Sequence, residues 1–259
     1  MLRASLARAL PARLKRSLRP LVVPWLYRLE RPRLRRLLAD VVRPGDLVFD
    51  IGAAEGYVTE VLLSFGTRVV AVEPQPRFLA VLERRLRRQA HLHVVAAGVA
   101  ERVGTRTLHV SRGDPEISTF ELEVWRSGPY AGHLWEDRIE VEVLTLDALI
   151  ERFGVPAFCK IDVEGAEPAV LDGLSRPIHA LSFELTGQLL DRAEHCISRL
   201  EALGPFRFGL SLGRRHELLP DAWVPGNELL DRARSIDPAQ CQGDVYARLT
   251  SSTSVAISS

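Results

Sequence analysis

The strongest constraint on this chain is an alternation. Short, nearly continuous apolar runs rich in Val and Ile recur at 47–51 (LVFDI), 68–73 (RVVAVE), 92–97 (LHVVAA), 157–163 (AFCKIDV), 179–185 (HALSFEL) and 244–249 (DVYARL). Runs of this kind suit strands covered on both faces. Helical patterns separate the early ones, as at 76–88, where Phe78, Leu79, Leu82 and Leu86 share one side. Strand and helix alternating at this spacing predict a doubly wound, mostly parallel α/β sheet with right-handed crossovers. Residues 104–145 break the rhythm. Two β-like stretches, Thr105–Val110 and Ile139–Leu144, flank a loop holding Tyr130, His133 and Trp135. An insertion of this sort often shapes a ligand-facing side.

The 259 residues suffice for one large domain plus short extensions. No apolar run reaches the length of about eighteen needed to span a bilayer. Cys159, Cys196 and Cys241 lie far apart with no C-x-x-C pair. They read as buried, inert thiols, and a cytoplasmic location is expected. The net charge of +1 conceals an asymmetry: residues 1–45 carry twelve Lys/Arg against Glu30 and Asp40. In residues 1–20, leucines at 2, 6, 10, 14 and 18 alternate with six basic residues and no acid. Such a segment can pack as a helix on the domain, lie on an anionic membrane surface, or act as an import signal. The expected organisation is a basic helical extension over 1–44, a catalytic body over 45–249 and a disordered tail over 250–259. Peripheral membrane contact through residues 1–36 is a possible addition, and nucleic acid is not an expected partner.

The sharpest local signal is Val48-Phe49-Asp50-Ile51-Gly52-Ala53-Ala54-Glu55-Gly56. A strand enters a loop with glycines four apart, then a helix near Tyr57. Gly52 permits a tight turn, and Gly56 allows close approach without a Cβ. Asp50 at the strand end can meet an ammonium group, directly or through water. Glu73 closes the next strand, 21 residues after Gly52, where a carboxylate can accept from both hydroxyls of a ribose. The loop is not the G-x-G-x-x-G that clasps a pyrophosphate. S-adenosylmethionine has no phosphate and fits it better than a nicotinamide dinucleotide does. Asp50, Gly52, Ala54, Gly56, Glu73 and Ala97 are the expected cofactor residues.

Farther on, the chain reads Lys160-Ile161-Asp162-Val163-Glu164-Gly165-Ala166-Glu167, then Val170-Leu171-Asp172-Gly173. Here it resembles the FkbM family of methyltransferases, whose hallmark is K-I-D-V-E-G-x-E followed by V-L-x-G. Asp50-Ile51-Gly52, Glu73-Pro74, Ser118-Thr119, Leu144-Thr145-Leu146-Asp147, Ser182-Phe183-Glu184 and Asp244-Val245-Tyr246-Ala247 add to the likeness, which spans roughly 45–249. Ala53-Ala54-Glu55 stands where many relatives have an Asn before the second glycine. The resemblance implies a Rossmann-like, seven-stranded class I methyltransferase fold with a small β insertion. It also implies S-adenosylmethionine as cofactor and methyl transfer to a hydroxyl of a sugar, glycan or polyketide-like small molecule.

Alignment and proton removal are then the main catalytic needs. Asp162 is expected at the end of a central strand, as base or cofactor positioner. Glu164 is expected in the loop opening the next helix, whose dipole would lower its basicity and leave it an orienter and modest base. Ser118 and Thr119 are candidate substrate contacts. No resident metal is the first expectation. A Mg²⁺ site would need Asp162, Glu164 and Glu184 to converge. The bland alternative pairs Lys160 with Glu184 across neighbouring strands and leaves Glu167 facing water. His91, His93 and His109 show no ligand spacing, and Trp125 and Trp135 read as local core. Rival functions are a methyltransferase for amines or nucleic acids, which often carry an (Asn/Asp)-Pro-Pro-(Tyr/Phe) segment absent here, and a non-catalytic membrane-associated module.

Overall fold

The computed structural model describes residues 27–128 and 130–250. The leucine stripe of 1–20 and nearly all of the polar tail therefore lie outside the described residues. A helix, α1, covers residues 27–38. The alternation then follows: β1 (Leu47–Ile51), α2 (Tyr57–Leu63), β2 (Arg68–Val72), α3 (Pro76–Leu86) and β3 (Leu92–Val95). The insertion contributes β4 (Gly98–Val99), β5 (Gly104–Val110), α4 (Leu122–Ser127) and β6 (Asp137–Leu144). The second half runs α5 (Leu146–Phe153), β7 (Phe158–Ile161), α6 (Glu167–Asp172), β8 (Ala180–Thr186), α7 (Leu190–Leu203), β9 (Phe206–Leu212), α8 (Gly226–Arg234) and β10 (Gln242–Leu249).

Seven strands form one sheet in the order β3-β2-β1-β7-β8-β10-β9, while β4, β6 and β5 form a small separate sheet. The first five strands in that order pair in parallel, and β10 runs antiparallel to both β8 and β9. The mostly parallel, Rossmann-like sheet is thus present. One of its strands, β9, is absent from the six apolar runs. Its residues Phe206, Phe208 and Leu210 are buried, but Arg207 and Gly209 interrupt them. β9 is an edge strand whose apolar residues alternate with Arg207, Gly209 and Ser211, so no continuous apolar run marks it, although Gly209 and Ser211 are buried as well.

Side chains of β1 divide between two cores. Phe49 and Ile51 face the larger one, with Leu146, Leu149, Val170 and Leu171 of the helices α5 and α6. Val48 faces the other, with Leu34 and Leu38 of α1 and Val61 and Leu62 of α2. The sheet is therefore covered on both faces, which explains the continuous apolar runs. Among the described residues, no helix is long and apolar enough to cross a membrane. All three cysteines are free and buried.

Candidate active site

Strand order reverses between β1 and β7, and open α/β sheets bind ligands in the crevice at such a switch point. Register decides what emerges there. Ile51 stands beside Val72 on one side and Ile161 on the other. Asp50, Glu73 and Asp162 consequently reach one edge of the sheet. A cleft at that edge is lined by Asp50, Gly52, Ala54, Glu73, Ala97, Ser118, Asp162 and Glu164. Gly56 does not line it: it caps α2 in a left-handed conformation against Leu82 and Leu86.

The bend after β1 is built from backbone. The amides of Gly52 and Ala53 both donate to the carbonyl of Val72. Gly52 has φ +80°, and a Cβ there would sit 1.8 Å from the carbonyl oxygen of Asp162. Glycine alone allows β1 and the end of β7 to come this close. Ala54 is also left-handed, at φ 45°. Its amide donates to Oε2 of Glu73 at 2.8 Å, while the amide of Gln75 donates to Oε1 at 2.8 Å. Each carboxylate oxygen keeps a lone pair for a further donor. Burial pushes the carboxyl of Glu73 up to about 7, against those two amide bonds. Asp50 is fully buried: Oδ2 accepts from Thr59 at 2.6 Å, and Oδ1 has no partner among the described residues. Burial raises its pKa too. An orphaned anionic acceptor calls for a donor, and a cofactor with an ammonium group and a diol meets both requirements. The residues suit S-adenosylmethionine: Asp50 and Glu73 are acceptors that could hold its ammonium and diol groups, and apolar Phe78, Leu108 and Phe120 line the same cleft.

Asp162 and Glu164 in that lining belong to a cluster of carboxylates. Oxygens of Asp162, Glu164 and Glu184 all lie within 4.8 Å of one another. Asp244 stands directly opposite Glu184 on β10. The one lysine here, Lys160, donates to Asp162 Oδ2 at 2.8 Å. It does not pair with Glu184, because the register sets Lys160 beside Ser182. Burial opposes its charge, but the carboxylates of Asp162 and Asp50 outweigh that and hold its pKa above the ordinary value. The carboxyls of Glu164 and Glu184 are both pushed well up, by burial first and by neighbouring carboxylates second. Asp244 rises to about 6 through burial and Asp162. The expected lowering of Glu164 by a helix dipole is therefore overturned. The helix α6 opens only at Glu167, and burial beside like charges dominates. Glu167 does not face water either. It is buried, and Oε1 accepts the amides of Val163 and Gly165 at 3.1 and 3.2 Å.

The insertion fixes the loop that carries Glu164. Glu164 is left-handed at φ 54°, a strained state for a residue with a side chain. Its carbonyl accepts from Thr119 Oγ1 at 2.8 Å and from Trp125 Nε1. A Cβ on the next residue, Gly165 at φ +91°, would meet the Trp125 indole at 3.2 Å. The Thr119 hydroxyl also accepts the amide of Glu121, so it is committed to holding loops, and Thr119 is fully buried. Ser118 does line the cleft, with its hydroxyl on the carbonyl of Pro115 at 2.7 Å. Tyr130, in the insertion expected to shape the ligand side, borders the same region, as do Tyr27, Asp244 and His216, which were not singled out as site residues. Asp244 had a faint signal, an acid opening an apolar strand. Tyr27 had none.

Among known proteins, the model of the methyltransferase FkbM domain matches residues 50–203, more than half of the chain. No curated protein matches. Several solved structures are similar. A precorrin-6y C5,15-methyltransferase from Geobacter metallireducens shares 10% identity, with 87% of each chain covered and a TM-score of 0.45. Fibrillarin from Aeropyrum pernix, solved with bound S-adenosyl-L-methionine, shares 14% identity over 80% of this chain and 68% of that one, with a TM-score of 0.41. An rRNA methylase from Streptococcus thermophilus shares 14% over 83% and 94%, with a TM-score of 0.42. The matched segment contains both the Asp50–Gly56 bend and the Asp162–Glu164 floor, and the chain belongs to the FkbM family of S-adenosylmethionine-dependent methyltransferases.

Proposed function

We propose that the chain methylates a hydroxyl oxygen of a sugar, glycan or polyketide-like small molecule, with the acceptor oxygen presented over Asp162 and Glu164. One observation carries this reading. Glu164 Oε2 is buried without a hydrogen-bond partner among the described residues, on the wall shared by the cofactor cleft and a larger open groove. A neutral hydroxyl attacks poorly unless its proton is taken. A carboxylate made more basic by burial and like charges is suited to take it in those molecules whose Glu164 is ionised.

When bound, S-adenosylmethionine supplies a methyl group already activated on a sulfonium, which leaves as a neutral thioether. The chain's residues do the rest. Glu164 accepts the hydroxyl proton at Oε2. Asp162 stays fixed by Lys160 and faces the acceptor oxygen from the other side. Ser118 is a contact for the acceptor at the cleft edge, and Thr119 supports it from behind through the Glu164 loop. Glu164→Gln keeps shape and removes the base, so kcat should fall by about 10²-fold or more with S-adenosylhomocysteine affinity retained. The position of the methyl in the product, read by NMR, checks the reaction itself: methyl on nitrogen would remove the hydroxyl reading.

A second reading is favoured by the convergence of Asp162, Glu164 and Glu184 within 4.8 Å. Three carboxylates can hold Mg²⁺ through oxygen ligands and water, and the ion would then polarise the acceptor hydroxyl in place of a carboxylate base. Activity abolished by EDTA and restored by Mg²⁺ would select it over the metal-free floor.

A further inference from the structure

The larger groove that shares the acid floor is also lined by two arginine-bearing helices. Arg28 and Arg31 of α1 line one wall, and Arg77, Arg84 and Arg85 of α3 line the other. Positions 77, 81 and 84 share one helix face by their spacing, and Val81 lines the groove between the two arginines. Arg31 and Arg85 share the single carboxylate of Glu60. Arg28, Arg77 and Arg84 are exposed and meet no carboxylate among the described residues. The groove is also lined by the floor carboxylates Asp162, Glu164, Glu184 and Asp244 and by Glu55, Asp114 and Glu116. Of its other basic residues, Lys160 is already engaged by Asp162, and both Arg214 and His216 by Glu30.

One groove that carries both an arginine cluster and a carboxylate cluster can orient a bipolar guest. An anion is repelled from the carboxylates and attracted to the arginines. We propose that the methyl acceptor carries an oxyanion, phosphate or carboxylate, remote from the reacting hydroxyl, and that Arg28, Arg77 and Arg84 bind it. This rests on the reading of the groove as the acceptor site. The open groove measures about 1180 Å³, above the roughly 300–1,000 Å³ of ordinary small-molecule pockets, so it has room for an acceptor that meets both clusters. Guanidinium forks suit the planar or tetrahedral oxygens of such groups. The arginines, the apolar Phe78 and Val81 and the reaction-floor carboxylates line one and the same groove. That shape favours a molecule entering the groove over a flat membrane face.

The test is calorimetry on the full chain loaded with S-adenosylhomocysteine, at low ionic strength, using pyrophosphate, citrate and neutral trehalose as probes. Pyrophosphate or citrate should bind with an affinity that falls as salt is added. Preference for pyrophosphate assigns a phosphate and preference for citrate a carboxylate. Arg77→Glu/Arg84→Glu should weaken anion binding by about tenfold or more and leave S-adenosylhomocysteine affinity unchanged. Arg28→Glu, on the other wall, is the second variant should the first misfold. No anion binding, or equal binding by the variants, overturns the proposal. Binding only to phosphatidylglycerol vesicles, lost in the double variant, overturns it in favour of a membrane face. Failure of the hydroxyl reading shows separately, in the product's methyl position, and leaves the anion titration as it was.

Discussion

Glu73 carries two duties at once. Its oxygens hold the amides of Ala54 and Gln75, which shapes the bend, and they remain open to a diol. Its carboxyl sits near 7 because burial disfavours the charged form. Two ribose hydroxyls donating to it favour the carboxylate over the acid, so the pKa in the complex lies below that of the free protein. Binding therefore releases a proton wherever free Glu73 is still protonated. S-adenosylhomocysteine affinity should be weak below about pH 7, rise through that value by at most about tenfold per pH unit, and level off above it. Glu73→Gln should flatten the profile at the weak end. Calorimetry across this range checks both, and a wild-type profile that is flat, or that falls with rising pH, would exclude Glu73 as the ribose acceptor.

At the scale of elements, the insertion acts as a clamp. Thr119 and Trp125 both donate to the carbonyl of Glu164 and hold a non-glycine residue left-handed. Thr119→Val combined with Trp125→Phe removes both donors while keeping much of the packing. An unsatisfied buried carbonyl costs about 1–3 kcal/mol, and displacement of Glu164 by about 1 Å can lower turnover about 10²-fold. The double variant should lose kcat and keep cofactor affinity, because the bend after β1 owes nothing to α4. Unchanged kcat would show that Glu164 holds its place alone. The same elements show what was legible in the sequence. β1, its loop, β2 and β7 were readable because strands buried on both faces leave continuous apolar runs. The edge strand β9 was not, since Arg207 and Gly209 break its pattern. The partner of Lys160 and the burial of Glu167 depend on register and on the fold of one loop. Spacing along the chain does not encode either. The pKa of Glu164 is raised by burial first and then by Glu184, which is twenty residues away in sequence and brought near only by the fold.

For the molecule as a whole, the helix α1 is part of the body. Leu34 and Leu38 are buried against Val48, Val61 and Val69, and Tyr27 stacks on Tyr57 with ring centroids 4.0 Å apart, at the mouth of the cleft. Leu38→Ala should cost about 2–5 kcal/mol and shift a single unfolding transition. A separate early transition for the N-terminal region would contradict this packing. The two cores and the switch point converge on one claim: the backbone bend at Gly52, with Asp50 beneath it and Glu73 beside it, receives the adenosyl cofactor. A crystal structure with S-adenosylhomocysteine tests it most directly. The account predicts the ribose hydroxyls on Glu73 and the amino group facing Asp50. Ligand density elsewhere, with side chains filling this cleft, would contradict it.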